Sequence, residues 1–244
     1  MKIEISDIVL RKNSSEPILQ GITTSFTSPE FTILSGPNGS GKSMLLRVLV
    51  GLEKPDSGTV LVGGRPYPQA YGQLGSLVGM VFQQPHSQIL GQTVREDILF
   101  SLNSVHKNKD KREERCREIL AWAGLSEHEN QNPHTLSGGE LRRLSLASAL
   151  ALEPQFILFD EPFNGLDYFG VQNLLKSMID LHNQGKGILV VTHHLDQVLA
   201  HADRLLVLKE GRILADGIPQ RILPHLEDHG VRKPSGKLPE MSWL

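Results

Sequence analysis

Polar and apolar side chains alternate over residues 2–10, which read as a strand; a turn is expected at residues 13–17 and a second strand at 18–26. A short, wholly apolar strand at 31–35 runs into a glycine-rich loop, and the apolar spacing over 42–50 predicts a helix stopped by Gly51. Residues 59–62 and 77–82 read as strands again. From about residue 93 to residue 152 the pattern turns helical. Thr93 and Glu96 have capping-box spacing ahead of Ile98-Leu99-Phe100. Residues 109–123 form a charged amphipathic helix, and 137–152 another, with Leu141, Leu144, Leu146 and Leu150 as its apolar positions. Strand and helix then alternate at 156–160, 171–182, 188–192 and 195–202. Residues 205–209 and 212–215 flank Glu210-Gly211, which suits a tight hairpin. Residues 228–244 hold several Pro and Gly with no clear period, and read as a loosely held extension or a partner contact.

The arrangement is an α/β domain over 1–227, its core formed by 1–85 and 154–227 and interrupted by a helical insert at 86–153, followed by a tail at 228–244. There is no internal repeat. A net charge of -2 gives no reason to expect a nucleic-acid partner. The single cysteine, Cys116, cannot close an internal disulfide and lies in a charged helical stretch, which fits a reducing compartment and an ordinary helix position. No apolar run approaches the ~20 residues that span a bilayer. The start, Met1-Lys2-Ile3-Glu4-Ile5-Ser6-Asp7, has acidic residues where a signal peptide needs its apolar segment. A cytoplasmic protein is expected, reaching a membrane only through a partner.

Three segments carry chemistry. Gly36-Pro37-Asn38-Gly39-Ser40-Gly41-Lys42-Ser43 fits G-x-x-x-x-G-K-[ST], with the strand and helix that a phosphate loop needs on its two sides. Its glycines let successive backbone N–H groups converge on phosphate oxygens, and the helix N-terminus that follows favours anions. Lys42 offers a point charge to β- and γ-phosphates, and Ser43 a hydroxyl to Mg²⁺. A plain glycine-rich turn would not need those flanking elements. Thr135-Leu136-Ser137-Gly138-Gly139-Glu140 is a second glycine-rich turn ahead of a helix. Phe156-Ile157-Leu158-Phe159-Asp160-Glu161 is an apolar strand ending in two carboxylates, followed by Pro162 and Asn164-Gly165-Leu166-Asp167.

In this order the three segments resemble the ATP-binding-cassette (ABC) family of ATPases, from about residue 3 to residue 223. The resemblance implies a phosphate-loop (RecA-like) nucleotide-binding core with an antiparallel β subdomain, and makes the insert at 86–153 the helical subdomain that carries the signature loop. It implies ATP and Mg²⁺ as cofactors and ATP hydrolysis as the activity. Asp160 would support Mg²⁺ through water, and Glu161 would act as general base or polarise the attacking water. Gln83, in Val81-Phe82-Gln83-Gln84-Pro85, resembles the Q-loop glutamine that contacts Mg²⁺ or water; Gln84 is the alternative, and the position after Phe82 favours Gln83. His193 resembles the switch histidine at the γ-phosphate. His194 stands where many members carry Asp, and joint metal ligation by the pair is disfavoured because consecutive residues at a strand end point apart.

Ser137, Gly138 and Gly139 resemble the signature that completes the ATP site of an opposing subunit, with Ser137 at the γ-phosphate. This implies a dimer, with an identical chain or a paralogue, and places Asp167, in the D-loop, at the interface. Glu140 replaces the commoner Gln and adds repulsion toward phosphate. The family's adenine-stacking aromatic is missing from Ile8-Val9-Leu10-Arg11-Lys12-Asn13; recognition of the base then falls to Leu10, or to Arg11 or Lys12.

Residues 79–88 and 93–98 resemble the ATPases of energy-coupling-factor importers, which take up vitamins or metal ions such as cobalt and nickel. That implies integral membrane subunits contacting residues 83–100 and a peripheral position on the cytoplasmic side of the membrane. The competing class is a soluble ABC ATPase outside transport, for example in iron–sulfur assembly or cell division. The coiled coils of repair and chromosome members, and the paired cassettes of translation factors, are both missing from this sequence.

Overall fold

The computed structural model describes residues 1–12, 16–66 and 77–244. The chain runs through β1 (Lys2–Leu10), β2 (Leu19–Thr27), β3 (Phe31–Ser35), α1 (Lys42–Leu49), β4 (Ser57–Val62), β5 (Arg65–Pro66) and β6 (Val78–Val81). Next come α2 (Val94–Asn103), α3 (Lys109–Trp122) and α4 (Gly138–Leu150). The last part is β7 (Phe156–Asp160), α5 (Tyr168–Asn183), β8 (Gly187–Val191), α6 (Leu195–Val198), β9 (Arg204–Lys209), β10 (Arg212–Gly217) and α7 (Pro219–Ile222). Residues 13–15 of the expected first turn lie outside the described residues.

The strands form two sheets. One, in the order β2-β1-β4-β5, is antiparallel. The other, in the order β10-β9-β3-β8-β7-β6, is parallel except for the β9–β10 hairpin at its edge. β3, β7 and β8 are buried at every residue, as central strands covered on both faces must be, and so is β6 at the sheet's edge. Their side chains still alternate between two layers. On β7, Ile157 and Phe159 enter the core beneath α5, while Phe156 and Leu158 enter the layer that holds α1 between the sheets. α1 contributes Leu45, Leu46, Val48 and Leu49 to that layer, each fully enclosed. Burying a side chain of this size stabilises by about 1.5–3 kcal/mol, so α1 and the loop before it are held firmly on the sheet.

The sequence alternation of β1 is broken by two exposed residues, Ser6 and Asp7. The pairing register shifts there, and Asp7 takes a φ of 53°, so that Ile8 and Leu10 face the core again after the bulge. α2, α3 and α4 enclose a core of their own, which includes Ile98, Leu102, Leu120 and Leu144. Cys116 is sealed inside it, and burial pushes its thiol up to about 11, leaving it an unreactive packing residue.

Two helices differ in their starts from the sequence expectation. Ser137 is the N-cap of α4 and so lies outside the helix, whereas α5 begins earlier, at Tyr168, because the Asp167 carboxylate accepts the Gly170 N–H at 2.7 Å. The tail is not loosely held. Val231, Leu238, Met241 and Trp243 join the core beneath α5. Met241 O accepts the Ala200 N–H at 3.0 Å, Gln197 O accepts that of Trp243 at 3.2 Å, and Gln172 Nε2 donates to Trp243 O at 2.7 Å. Pro and Gly erase any period in this segment, but widely spaced apolar anchors dock it without one.

Candidate nucleotide-binding and hydrolysis site

β3 ends at Ser35 and the chain turns through Gly36–Gly41 into α1. Two of the glycines are obligatory. Gly41, the N-cap of α1, sits at φ 102°. Gly36 has φ 149°, and a Cβ there would lie 1.9 Å from the carbonyl oxygen of Leu208 on β9. The loop therefore approaches the neighbouring strand at a distance no other residue allows. Lys42 reaches back along it: Nζ donates to Gly36 O at 2.8 Å and to Pro37 O at 2.9 Å. Burial lowers the pKa of the ammonium, while Glu161 and Asp160 oppose that shift.

Ser43, at the start of α1, donates from Oγ to Asp160 Oδ1 at 2.9 Å. Asp160 is the last residue of β7, and burial raises its pKa against the opposing effect of the Ser43 hydrogen bond. Glu161 follows with a left-handed backbone, φ 47°. That departure from strand geometry sends its side chain elsewhere than Asp160's. Its N–H donates to Val191 O at 2.9 Å, and its Oε2 lies 3.0 Å from His193 Nδ1. A strained φ at a carboxylate held by a histidine is the kind of backbone cost that marks a working site.

The phosphate loop, Gln83, Glu161 and His193 share one cleft of about 490 Å³. Gln84 lies outside that wall; its carbonyl accepts from Ser87 N–H and Oγ–H and starts the turn Pro85–Gln88. His193 and His194 do not diverge as strand alternation would require. β8 already ends at Val191, and the two rings stand 3.9 Å apart. Leu10 is 4% exposed and belongs to the layer around α1, so it offers no face to a base. Arg11 and Lys12 are exposed, and Lys12 Nζ lies 3.5 Å from Glu53 Oε1. The cleft's apolar wall comes instead from Ile18 and Met44, which the sequence reading assigned only to a strand and a helix.

The signature residues stand apart from this cleft. Ser137 and Gly138 are exposed, and Ser137 and Glu140 form a reciprocal capping box at the start of α4. A buried residue beside the cleft that the sequence reading missed is Arg142, on the same helix. Its buried guanidinium donates to Pro162 O, to Asn164 O at 3.2 Å and to Gln83 O at 3.4 Å. Nothing in Arg142-Arg143 distinguishes it from a solvated charged pair; only the helical phase relative to Leu141 and Ser145 hints at an inward position.

The sequence matches the ABC transporter family over residues 19–164. This chain belongs to that family. Across 99% of its length it is 35% identical to the energy-coupling factor transporter ATP-binding protein EcfA of Methanocaldococcus jannaschii, covering 87% of that relative. Among solved structures it superposes on cbiO1 of Clostridium perfringens, described as part of the ABC transporter complex cbiONQ, with TM-score 0.81 and 29% identity, over 93% of this chain and 92% of the other. A dimeric ATP-binding cassette, MJ0796, in a post-hydrolysis state bound to ADP and Pi, gives TM-score 0.80 and 27% identity, over 88% of this chain and 98% of the other. The chain is thus the ATP-binding, ATP-hydrolysing subunit of an ABC transporter. Among the described residues no helix is long and apolar enough to cross a membrane.

Proposed function

We propose that this ABC ATPase works as a pair of cassettes, on the cytoplasmic side of a membrane, in an energy-coupling-factor importer that takes up a metal ion or a vitamin through separate membrane subunits. The phosphate loop and Lys42 hold the triphosphate. Ser43, Asp160 and Gln83 offer the hard oxygen donors that suit Mg²⁺, and the Ser43–Asp160 contact already joins two of them. Bound there, Mg²⁺ would neutralise phosphate charge. Glu161 takes the proton of the water that attacks the γ-phosphate, and His193 orients its carboxylate. The exposed Ser137 and Gly138, distant from the chain's own cleft wall, fit an ATP held by a second cassette, with Asp167 near the interface. The two cassettes close on ATP and open after hydrolysis, and the difference between the two states drives the membrane partner.

The observation that carries the transporter reading is an apolar groove of about 220 Å³ between β6, α2 and α4, beside the Gln83 loop. Its rim exposes Leu52 (59%), Leu90 (67%) and Phe100 (60%). Large apolar side chains exposed together around a groove mark a protein contact, and a short amphipathic helix of a membrane subunit fits its size. Asp97 shapes the rim: Oδ1 accepts the N–H groups of Leu90 and Gly91 at 2.8 and 3.0 Å, and Oδ2 accepts Ser148 Oγ–H at 2.6 Å. The test is a mild-detergent pull-down from native membranes, with the retained chains identified by mass spectrometry. Recovery of an integral membrane subunit, lost with Phe100→Asp, is the expected result. Recovery of soluble partners only overturns the transporter reading of this groove.

A further inference from the structure

Glu140 turns one oxygen of its carboxylate to the signature loop and the other to His128. Oε2 accepts the Ser137 N–H at 2.8 Å and the Ser137 Oγ–H at 2.7 Å, while Oε1 lies 3.3 Å from His128 Nε2. The protonation of His128 follows from its other neighbours. Thr135 Oγ1 donates to Asn132 O at 2.7 Å and therefore accepts from Gln131 Nε2 at 2.8 Å. That orients the Gln131 amide with its oxygen toward His128 Nδ1, 2.8 Å away. An amide oxygen only accepts, so Nδ1 carries a hydrogen. A neutral ring would then aim the bare lone pair of Nε2 at a carboxylate oxygen. The imidazolium, with a hydrogen on each ring nitrogen, suits both neighbours.

We propose that His128 is a positioning residue for the signature loop: as imidazolium it neutralises Glu140, so that an acidic residue at this place does not repel the ATP of the opposing cassette or withhold the Ser137 hydroxyl from it. The inference rests on the reading that Ser137 serves an ATP held by the second cassette. Its physical basis is a competition for one hydroxyl hydrogen. An uncompensated carboxylate is a stronger acceptor than one shared with a cation, and its charge acts directly on a nearby triphosphate. The Ser137 hydrogen bonds hold the Glu140 carboxyl below its usual range, so it stays ionised while imidazoles titrate. The other charges around the pair are Arg143, which also favours ionised Glu140, and Glu127 and Glu129, which flank His128 in the chain. Compensation requires the charged ring.

The experiment measures ATPase KM and kcat between about pH 5 and 8, where imidazoles change charge, for the wild type, His128→Ala, Glu140→Gln, the double variant and His128→Lys. The cleft residues are the same in every variant, so the readout is the difference from Glu140→Gln. In the wild-type background, His128→Ala raises KM about two- to fivefold at the acid end, the scale of a half-exposed ion pair, with kcat little changed. In the Glu140→Gln background it changes nothing, and His128→Lys keeps the low KM across the whole range. An equal KM rise in both backgrounds, or none in the wild type, overturns the role of His128. Ser137→Arg separates the two readings: full hydrolysis in that variant overturns the shared site itself, whatever His128 does.

Discussion

Arg142 is the residue on which the geometry makes its sharpest demand. From the second turn of α4 it reaches the carbonyls of Gln83, Pro162 and Asn164. Those carbonyls belong to the loop of the glutamine on the cleft wall and to the segment directly after Glu161. Burial lowers the pKa of the guanidinium, a sign that it is poorly solvated. Arg142→Met keeps an unbranched apolar stem and removes every donor. Each buried carbonyl left unpaired costs about 1–3 kcal/mol, and the 3.4 Å contact to Gln83 is the weakest of the three. Removing a buried guanidinium also recovers desolvation energy, which offsets part of the loss. The net destabilisation expected is about 1–3 kcal/mol, or a fall in Tm of roughly 2–4 °C per kcal/mol for a chain of this size. The catalytic effect is larger, because the loop after Glu161 loses its anchor and displacements near 1 Å cost on the order of 10²-fold in rate. Calorimetry, ATP titration and steady-state hydrolysis measure the three consequences separately: a lowered Tm, a Kd unchanged within about twofold, and a kcat reduced at least tenfold. Arg142→Lys, with a single ammonium for three carbonyls, falls between. A variant with the lowered Tm but wild-type kcat refutes the positioning argument and leaves Arg142 a packing residue.

Two further substitutions test the cleft. Glu161→Gln retains ATP binding, loses about 10²-fold or more in turnover as a missing general base does, and shifts the protein toward a dimer in ATP on size exclusion; unchanged hydrolysis removes Glu161 from the proton transfer. Lys42→Ala loses its hydrogen bonds to Gly36 O and Pro37 O together with the charge offered to phosphate. Its ATP Kd rises at least tenfold, the scale of a lost charge-assisted hydrogen bond, and an unaltered Kd by calorimetric titration contradicts the phosphate role.

What the sequence made legible is what depends on neighbours in the chain. Gly36 and Gly41 announce themselves because the backbone there needs their conformations, and Asp160 because an apolar strand that ends in a carboxylate places it at the sheet edge. What it hid depends on contacts across the fold. Leu10 and Ile18 are both apolar residues of the first hairpin, yet one is sealed around α1 and the other faces the cleft. Nothing local separates them, because the bulge at Asp7 resets which face is which. Arg142 was hidden by the ordinary preference of arginine for solvent, which the backbone carbonyls of two distant loops override. The tail was hidden because its order comes from docking rather than from period. Glu140 was visible as an acidic substitution, but its engagement with Ser137 and His128 was not.

These hidden contacts converge on α4. Ser137 caps its start, Glu140 and Arg142 occupy its first turns, and Ser148, near its end, holds Asp97 at the rim of the apolar groove. At 1.5 Å per residue, Ser137 and Ser148 stand about 16 Å apart along one helix axis. Such a rod needs no relay of side-chain rearrangements between its ends. On the shared-site reading, a displacement of Ser137 would carry the groove rim with it, while Arg142 ties the same helix to the Gln83 and Glu161 loops. Coupling of this kind requires an element with two arrangements whose balance both ends bias. The interior face of the helix, through Leu141, Leu144 and Ala147, packs into the core it shares with α2 and α3, so that the helix and those two neighbours would move as one body.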